Sequence, residues 1–186
     1  ESVVLDYSKH QNKILELNVE EKYVWVQPGV VLDHLNAYLK PHGLWFPVDV
    51  STSSRATIGG MSANNSCGSR SLYYGNMVHN VLAIEAILDD GSIFNFDQIN
   101  KNYLATKNNQ DRLYKIIDKF IDVRQQVGGE IDANWPTTQR RVGGYNIDLI
   151  DPEGFNSSNL LVGSEGTLSL FNKIKLKLSE IPKNKI

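Results

Sequence analysis

Apolar and polar residues alternate with a period of two in several short stretches of this chain, and with helical spacing in two others. Val24 and Val26 alternate with Tyr23, Trp25 and Gln27, the pattern of a half-buried strand. Residues 3–7 and 13–18, rich in apolar residues and separated by polar turn residues, predict two strands ahead of it. Pro28-Gly29 stops the third strand. Leu32, Leu35 and Leu39 fall on one stripe and predict a helix over 31–39, which Pro41 and Gly43 end. Residues 81–88 form an apolar run that the Asp90-Gly91 turn joins to 92–96 as a hairpin. The strongest helical signal is at 111–127, where Leu113, Ile116, Ile117, Phe120, Ile121, Arg124 and Val127 trace one face, only Arg124 off-pattern. Gly128-Gly129 then predicts its C-cap. In 168–178, Leu170, Asn172, Ile174, Leu176 and Leu178 oppose Lys173, Lys175 and Lys177, an antiparallel strand with one solvated, basic face. Strands at both ends with helices between them predict an α+β fold: one largely antiparallel sheet with flanking helices, the 111–127 helix packed against it.

Residues 44–74 break this pattern. They are short on periodicity and dense in small polar residues: Ser51-Thr52-Ser53-Ser54, Gly59-Gly60, Asn64-Asn65-Ser66 and Gly68-Ser69. Long irregular stretches inside a domain of this size are usually functional. Composition narrows the field further. The 186 residues are 41% hydrophobic, enough for a real core, and the net charge of −2 excludes nucleic-acid or anionic-membrane affinity driven by bulk charge. One cysteine, Cys67, excludes an intrachain disulfide framework and a cysteine-rich metal site. No apolar run approaches the roughly 20 residues of a membrane span.

Several chemistries lack their signature. There is no G-x-G-x-x-G and no G-x-x-x-x-G-K-[ST], and His10, His34, His42 and His79 are scattered without zinc-ligand spacing. Gly163-Ser164-Glu165-Gly166 is not a nucleophile elbow. Two glycine-rich segments remain, 57–68 and 161–168. Read alone, each is either a tight turn or a ligand loop. Paired glycines let backbone approach a ligand, the hydroxyls and amides that follow supply donors, and Thr57 is placed to start a short helix whose N-terminus faces a phosphate.

The ordered set of motifs carries a resemblance. Pro47-Val48-Asp49, Thr57-Ile58-Gly59-Gly60-Met61, Asn64-Asn65, Gly68, Tyr74-Gly75, Leu88-Asp89-Asp90-Gly91 and Val162-Gly163-Ser164-Glu165-Gly166-Thr167-Leu168 resemble the FAD-binding, PCMH-type domain of FAD-linked oxidases, the relatives of vanillyl-alcohol oxidase and p-cresol methylhydroxylase. The branch most similar is the D-2-hydroxy-acid dehydrogenases acting on D-lactate, glycolate or D-2-hydroxyglutarate. Arg140-Arg141-Val142-Gly143-Gly144-Tyr145-Asn146 is similar to large members that carry an iron–sulfur cluster elsewhere in the parent. The resemblance implies FAD as cofactor and hydride transfer from the α-carbon of the hydroxy acid to flavin N5, with electrons passed to a further acceptor. It implies that Ser51, Thr57, Asn64, Asn65 and Cys67 line pyrophosphate and flavin, that Gly59, Gly60 and Gly68 are close-approach glycines, and that Glu165, Gly166, Thr167 and Leu170 reach the ribose, adenine and flavin edge. Pro47 and Ile58 complete the cofactor-binding set. No catalytic or metal residue is assigned within the chain.

The same resemblance sets expectations about extent. Residues 1–181 read as the domain without its upstream glycine-rich phosphate loop, and 182–186 as the start of a linker to a substrate domain that lies outside the chain. With one phosphate loop only, weak FAD retention and no activity of the chain alone are implied. The parent is then a cytoplasmic protein, with any membrane contact made through its other parts. An FAD-dependent alcohol or sugar oxidase, and a non-catalytic domain that has lost FAD, are the competing readings. His79 stands where the family has an acidic residue, and reads as a structural histidine. Arg140 and Arg141 read as an exposed pair on a loop, Asp49 as a turn residue, the lysine stripe as a solvated strand face, and Trp25, Trp45 and Trp135 as core or rim packing.

Overall fold

The computed structural model describes residues 4–100, 111–138 and 140–183. In chain order the elements are β1 (Ile14–Asn18), β2 (Tyr23–Val26), α1 (Leu32–Leu39), β3 (Leu44–Trp45), α2 (Ile58–Ala63), α3 (Ser71–Tyr74), α4 (Met77–Asn80), β4 (Val81–Ile87), β5 (Ile93–Phe96), β6 (Gln98–Asn100), α5 (Arg112–Asn134), β7 (Gly154–Asn156), β8 (Leu170–Lys177) and β9 (Ser179–Glu180). Period-two alternation builds the main sheet, ordered β1-β2-β8-β4-β5 with every pairing antiparallel. The long-range pair β2–β8 aligns Val26 with Ile174 and Val24 with Leu176, and all four side chains are buried. On the outer face Lys173 lies over the Trp25 ring and Lys175 over Tyr23, so the basic stripe is solvated yet tied to the neighbouring strand by diagonal cation–π pairs.

One buried cluster unites the inner faces of these strands with Leu32, Leu35 and Leu39 of α1 and with Leu113, Ile117 and Ile121 of α5. Each such side chain contributes about 1.5–3 kcal/mol relative to an exposed one. The β4–β5 hairpin closes as its sequence predicts, with Leu88 N–H donating to Ser92 O at 2.9 Å and Gly91 at φ +81°. Two small antiparallel pairs, β3–β9 and β6–β7, lie outside the main sheet.

The structure departs from the sequence pattern in four places. Residues 4–7 are not a strand; they run past Pro28-Gly29, where Tyr7 O and Gln11 O crowd Gly29, and among the described residues no strand pairs with them. Residue 3 lies outside the described residues. The long helix does not stop at Gly128-Gly129 but continues to Asn134, because neither glycine has positive φ and the Arg124 side chain covers Gly128. It ends where Trp135 turns extended ahead of Pro136, as the residue before proline does. The irregular stretch 44–74 contains β3, α2 and α3, each six residues or fewer. Finally, β8 carries a bulge: Glu85 pairs with Lys173 but Ala86 with Phe171. The bulge turns Phe171 inward and leaves Leu170 42% exposed, reversing the face that simple alternation assigns to Leu170.

Candidate functional site

The site grows from α2. Thr57 is its N-cap, extended in backbone, with Oγ1 accepting the Gly60 N–H at 3.3 Å. The rest of the first turn is occupied within the protein. Ile58 N–H donates to Val30 O (2.8 Å), Gly59 N–H to Pro28 O (2.7 Å) and Met61 N–H to Thr57 O (2.9 Å). The expectation that this helix N-terminus presents free donors to a phosphate is therefore not met. The glycines also divide by role. A Cβ on Gly59 would lie 2.6 Å from Pro28 Cβ, and one on Gly68 would lie 2.1 Å from Asp49 O, so both are required by protein packing. Gly60 has only Thr57 Oγ1 nearby, and Gly166, at φ +76°, has nothing within 4 Å.

The last glycine segment is stitched to the end of α2. Gly163 N–H donates to Ser62 O at 2.9 Å, Glu165 N–H to Ala63 O at 3.0 Å, and Asn64 Nδ2 to Glu165 Oε1 at 2.7 Å. A relay of asparagines braces this junction from below. Asn65, in the left-handed region at φ +49° and buried, accepts the Val78 N–H and donates to Asn146, which donates in turn to Val162 O at 2.7 Å. The two segments, about a hundred residues apart in sequence, thus form one unit. Tyr145 joins its outer edge through a 2.8 Å hydrogen bond with Thr167 Oγ1.

Two grooves flank the junction. Groove 1, about 670 Å³, is lined by Ser51, Asn64, Cys67 and Gly68 together with Asp49, Val50, Thr52, Ser66, Ser69, Arg140 and Val142. Groove 2, about 270 Å³, is lined by Thr57, Gly59, Gly60, Gly166 and Leu170 with Leu5, Tyr7, Pro28, Ala63, Ser169 and Phe171. Of the sequence candidates, Pro47, Ile58 and Asn65 are buried and outside both linings. Glu165 and Thr167 are exposed on the rim between them. Asp49 is more than a turn residue: its carboxylate accepts the Ser69 hydroxyl (2.8 Å) and the Arg70 N–H (3.0 Å), pinning the wall of groove 1. Sequence reasoning missed the contribution of Arg140 and Val142. The motif was visible, but its proximity to Cys67, 73 residues earlier, is a product of the fold.

The two arginines, read from sequence as an exposed pair, part company. Arg141 is partly buried in an ion pair with Asp148 and stacks over Trp135 at 5.1 Å. Arg140 turns into groove 1, where Nε and one terminal nitrogen each donate to Cys67 Sγ at 3.4 Å. His79 caps α4 through Nδ1, which accepts the Asn76 N–H at 3.0 Å. Partial desolvation of the ring, reinforced by the positive Arg141, holds its pKa below the usual histidine value. That is the structural histidine the sequence suggests. No cluster of metal-ligating side chains occurs among the described residues, and no helix among them is long and apolar enough to cross a membrane.

An extended dinucleotide fits this donor set. Gly60 and Gly166 give groove 2 two faces without side chains, its Leu170 and Phe171 wall suits a ring, and groove 1 adds hydroxyls, an amide and one cation. The fold and site define a dinucleotide-binding domain built on an antiparallel sheet. The profile of the family described as an FAD binding domain matches residues 1–97, and the chain belongs to that family. D-2-hydroxyglutarate dehydrogenase of Haemophilus influenzae is 37% identical over 191 residues, covering 97% of this chain and 18% of that protein. Its namesake in Escherichia coli is 36% identical over 190 residues, covering 98% and 18%. A probable mitochondrial D-lactate dehydrogenase of Danio rerio is 30% identical over 178 residues, covering 96% and 26%. The chain spans about a fifth to a quarter of the length of these curated relatives. A solved structure of alkyldihydroxyacetonephosphate synthase has the same fold, with a TM-score of 0.57 at 18% identity over 95% of this chain and 24% of that one.

Proposed function

We propose that this chain is the FAD-holding module of a flavoprotein dehydrogenase that oxidises a D-2-hydroxy acid. The observation that carries the reading is the stitched junction of 57–68 with 163–168, whose two unfilled glycine faces, Gly60 and Gly166, open on one groove. Bound FAD supplies the redox chemistry, accepting a hydride at flavin N5. The residues of the chain bind and orient. Gly60 and Gly166 admit the cofactor at backbone distance, Leu170 and Phe171 give a ring an apolar wall, and Ser51, Thr57, Asn64 and Cys67 edge the grooves along its length. Glu165 and Thr167 hold the rim through Asn64 and Tyr145. The substrate class follows the names of the relatives, and a further acceptor receives the electrons.

Equilibrium titration with FAD, followed by quenching of flavin fluorescence, tests the first half. Saturable one-to-one uptake that Gly60→Val abolishes, with the melting temperature kept, supports it; no uptake overturns it. The second half is tested on the protein expressed from its complete reading frame. Anaerobic bleaching of the flavin by D-2-hydroxyglutarate or D-lactate is expected, and bleaching only by primary alcohols or sugars would refute the hydroxy-acid assignment.

A further inference from the structure

We infer that Arg140 is the oxyanion-binding residue of groove 1, and that its contact with Cys67 is the resting state of a guanidinium that moves to a phosphate or carboxylate when the groove is filled. The inference deepens the FAD reading and rests on it. Three observations support it. Arg140 and Cys67, 73 residues apart in sequence, both line one 670 Å³ groove, and the fork of the guanidinium, Nε and a terminal nitrogen, is aimed at a single sulfur at 3.4 Å. A thiol is a weak acceptor that leaves most of the donor capacity of an arginine unmet. The other charges nearby are already matched: Arg141 pairs with Asp148, and Asp49 accepts from Ser69 and Arg70. Among the described residues Arg140 has no carboxylate partner.

The geometry of a planar fork suits two oxygens of one phosphate or carboxylate, which would replace one poor acceptor by two charged ones. Two sources bring such a group to groove 1: the phosphates of the cofactor and the carboxylate of a hydroxy acid. The neighbouring Ser51 and Thr52 hydroxyls suit either. The guanidinium that moves to the ligand leaves Cys67, and the ligand seated in the groove covers the thiol in its place, so the chain's single cysteine becomes a reporter of occupancy that does not depend on turnover.

The test combines affinity with thiol chemistry. Wild type, Arg140→Gln and Arg140→Lys are titrated with FAD, FMN and riboflavin, and the rate of Cys67 alkylation by uncharged iodoacetamide is followed with each. Parallel arms contain inorganic pyrophosphate or D-lactate. If phosphate is the source, Arg140→Gln weakens FAD and FMN about 10- to 100-fold and leaves riboflavin unchanged, with Arg140→Lys between. Pyrophosphate then slows alkylation in wild type but not in Arg140→Gln. If carboxylate is the source, D-lactate protects Cys67 in wild type only, and FAD affinity is the same in both. Protection by pyrophosphate without any FAD uptake would sink the cofactor reading and leave the oxyanion assignment standing. Equal affinities in wild type and Arg140→Gln, with alkylation rates that no anion changes, would overturn the assignment. The melting temperature of Arg140→Gln should match wild type, since the exposed side chain anchors nothing but the thiol contact.

Discussion

Two adjacent glycines in α2 should respond in opposite ways to the same added methyl group. Alanine at either position supplies the helix preference that glycine lacks, worth about 0.5–1 kcal/mol at most. At Gly59 the new carbon would lie 2.6 Å from Pro28 Cβ, 3.0 Å from Pro28 O and 3.1 Å from Pro28 Cα. None of these atoms is the tip of a flexible side chain. Pro28 is locked by its ring, and its carbonyl already holds the Gly59 N–H at 2.7 Å. Overpacking of this kind costs about 1–3 kcal/mol, so Gly59→Ala should lose roughly 0.5–2 kcal/mol net, about 1–8 °C in Tm for a chain of this length. At Gly60 the only neighbour within 4 Å is Thr57 Oγ1 at 3.2 Å, a hydroxyl that needs to give by a few tenths of an ångström. Gly60→Ala should therefore stay within about 0.5 kcal/mol of wild type, while its methyl narrows groove 2 and weakens FAD. Urea unfolding followed by tryptophan fluorescence measures the first effect and flavin titration the second. Equal destabilisation by the two substitutions, or a Gly59→Ala variant as stable as wild type, would refute the division of labour.

Gly68→Ala should be more damaging than either, because its Cβ would fall 2.1 Å from Asp49 O and 2.3 Å from Asp49 Oδ1; a melting temperature within a degree of wild type would count against the placement of the Asp49 wall. Asn146→Ala removes the donor to Val162 O and the acceptor for Asn65, and should cost about 1–3 kcal/mol, with faster amide exchange at Gly163 and Glu165; unchanged exchange would show that the relay does not brace the junction. His79 has a folded-state pKa below its usual value of 6.5, so protons bind the unfolded chain more readily than the folded one. Its stabilising contribution should be complete above about pH 6.5 and be lost as pH falls towards the depressed folded value. The urea midpoint of wild type should then drop between pH 7 and 5 more than that of His79→Gln, and parallel profiles would contradict the assignment.

Much of the fold was legible because its causes are local. Alternation placed β2, an apolar run placed β4, the Asp90-Gly91 turn joined β5 to it as a hairpin, and the leucine stripe placed α1. The failures share one feature: a distant partner decides. Residues 4–7 have strand composition but meet Pro28-Gly29 instead of a strand edge. Gly128 reads as a terminator until the Arg124 side chain is seen to occupy its missing Cβ, while the true stop signal, Pro136, lies further on. Leu170 and Phe171 exchange faces because β8 must bulge to stay in register with β4. The same holds at the site. Both glycine segments could be named from sequence, but their union through Ser62, Ala63 and Glu165 is a product of the fold. That Arg140 would face Cys67 while Arg141 paired with Asp148 follows from the path of the 140–148 loop, which residue types do not specify.

A glycine-rich motif therefore mixes two kinds of information, and the imaginary Cβ separates them. Where that carbon strikes protein, as at Gly59 and Gly68, the glycine is there so that the domain can close on itself, and this chain needs it whether or not it holds a ligand. Where the carbon meets little beside a groove, only Thr57 Oγ1 at Gly60 and nothing within 4 Å at Gly166, packing gives little reason for a helix-weakening residue at the first position. Glu165 sharpens the point. It adopts φ +52°, a conformation that costs a non-glycine residue roughly 1–2 kcal/mol, between two glycines that would adopt it freely. Its carboxylate accepts from Asn64 and its N–H donates to Ala63, so the side chain holds the end of α2 at the boundary of both grooves. Strain retained at such a position is consistent with a rim that must be fixed before a ligand arrives, which is what an extended cofactor touching both segments requires.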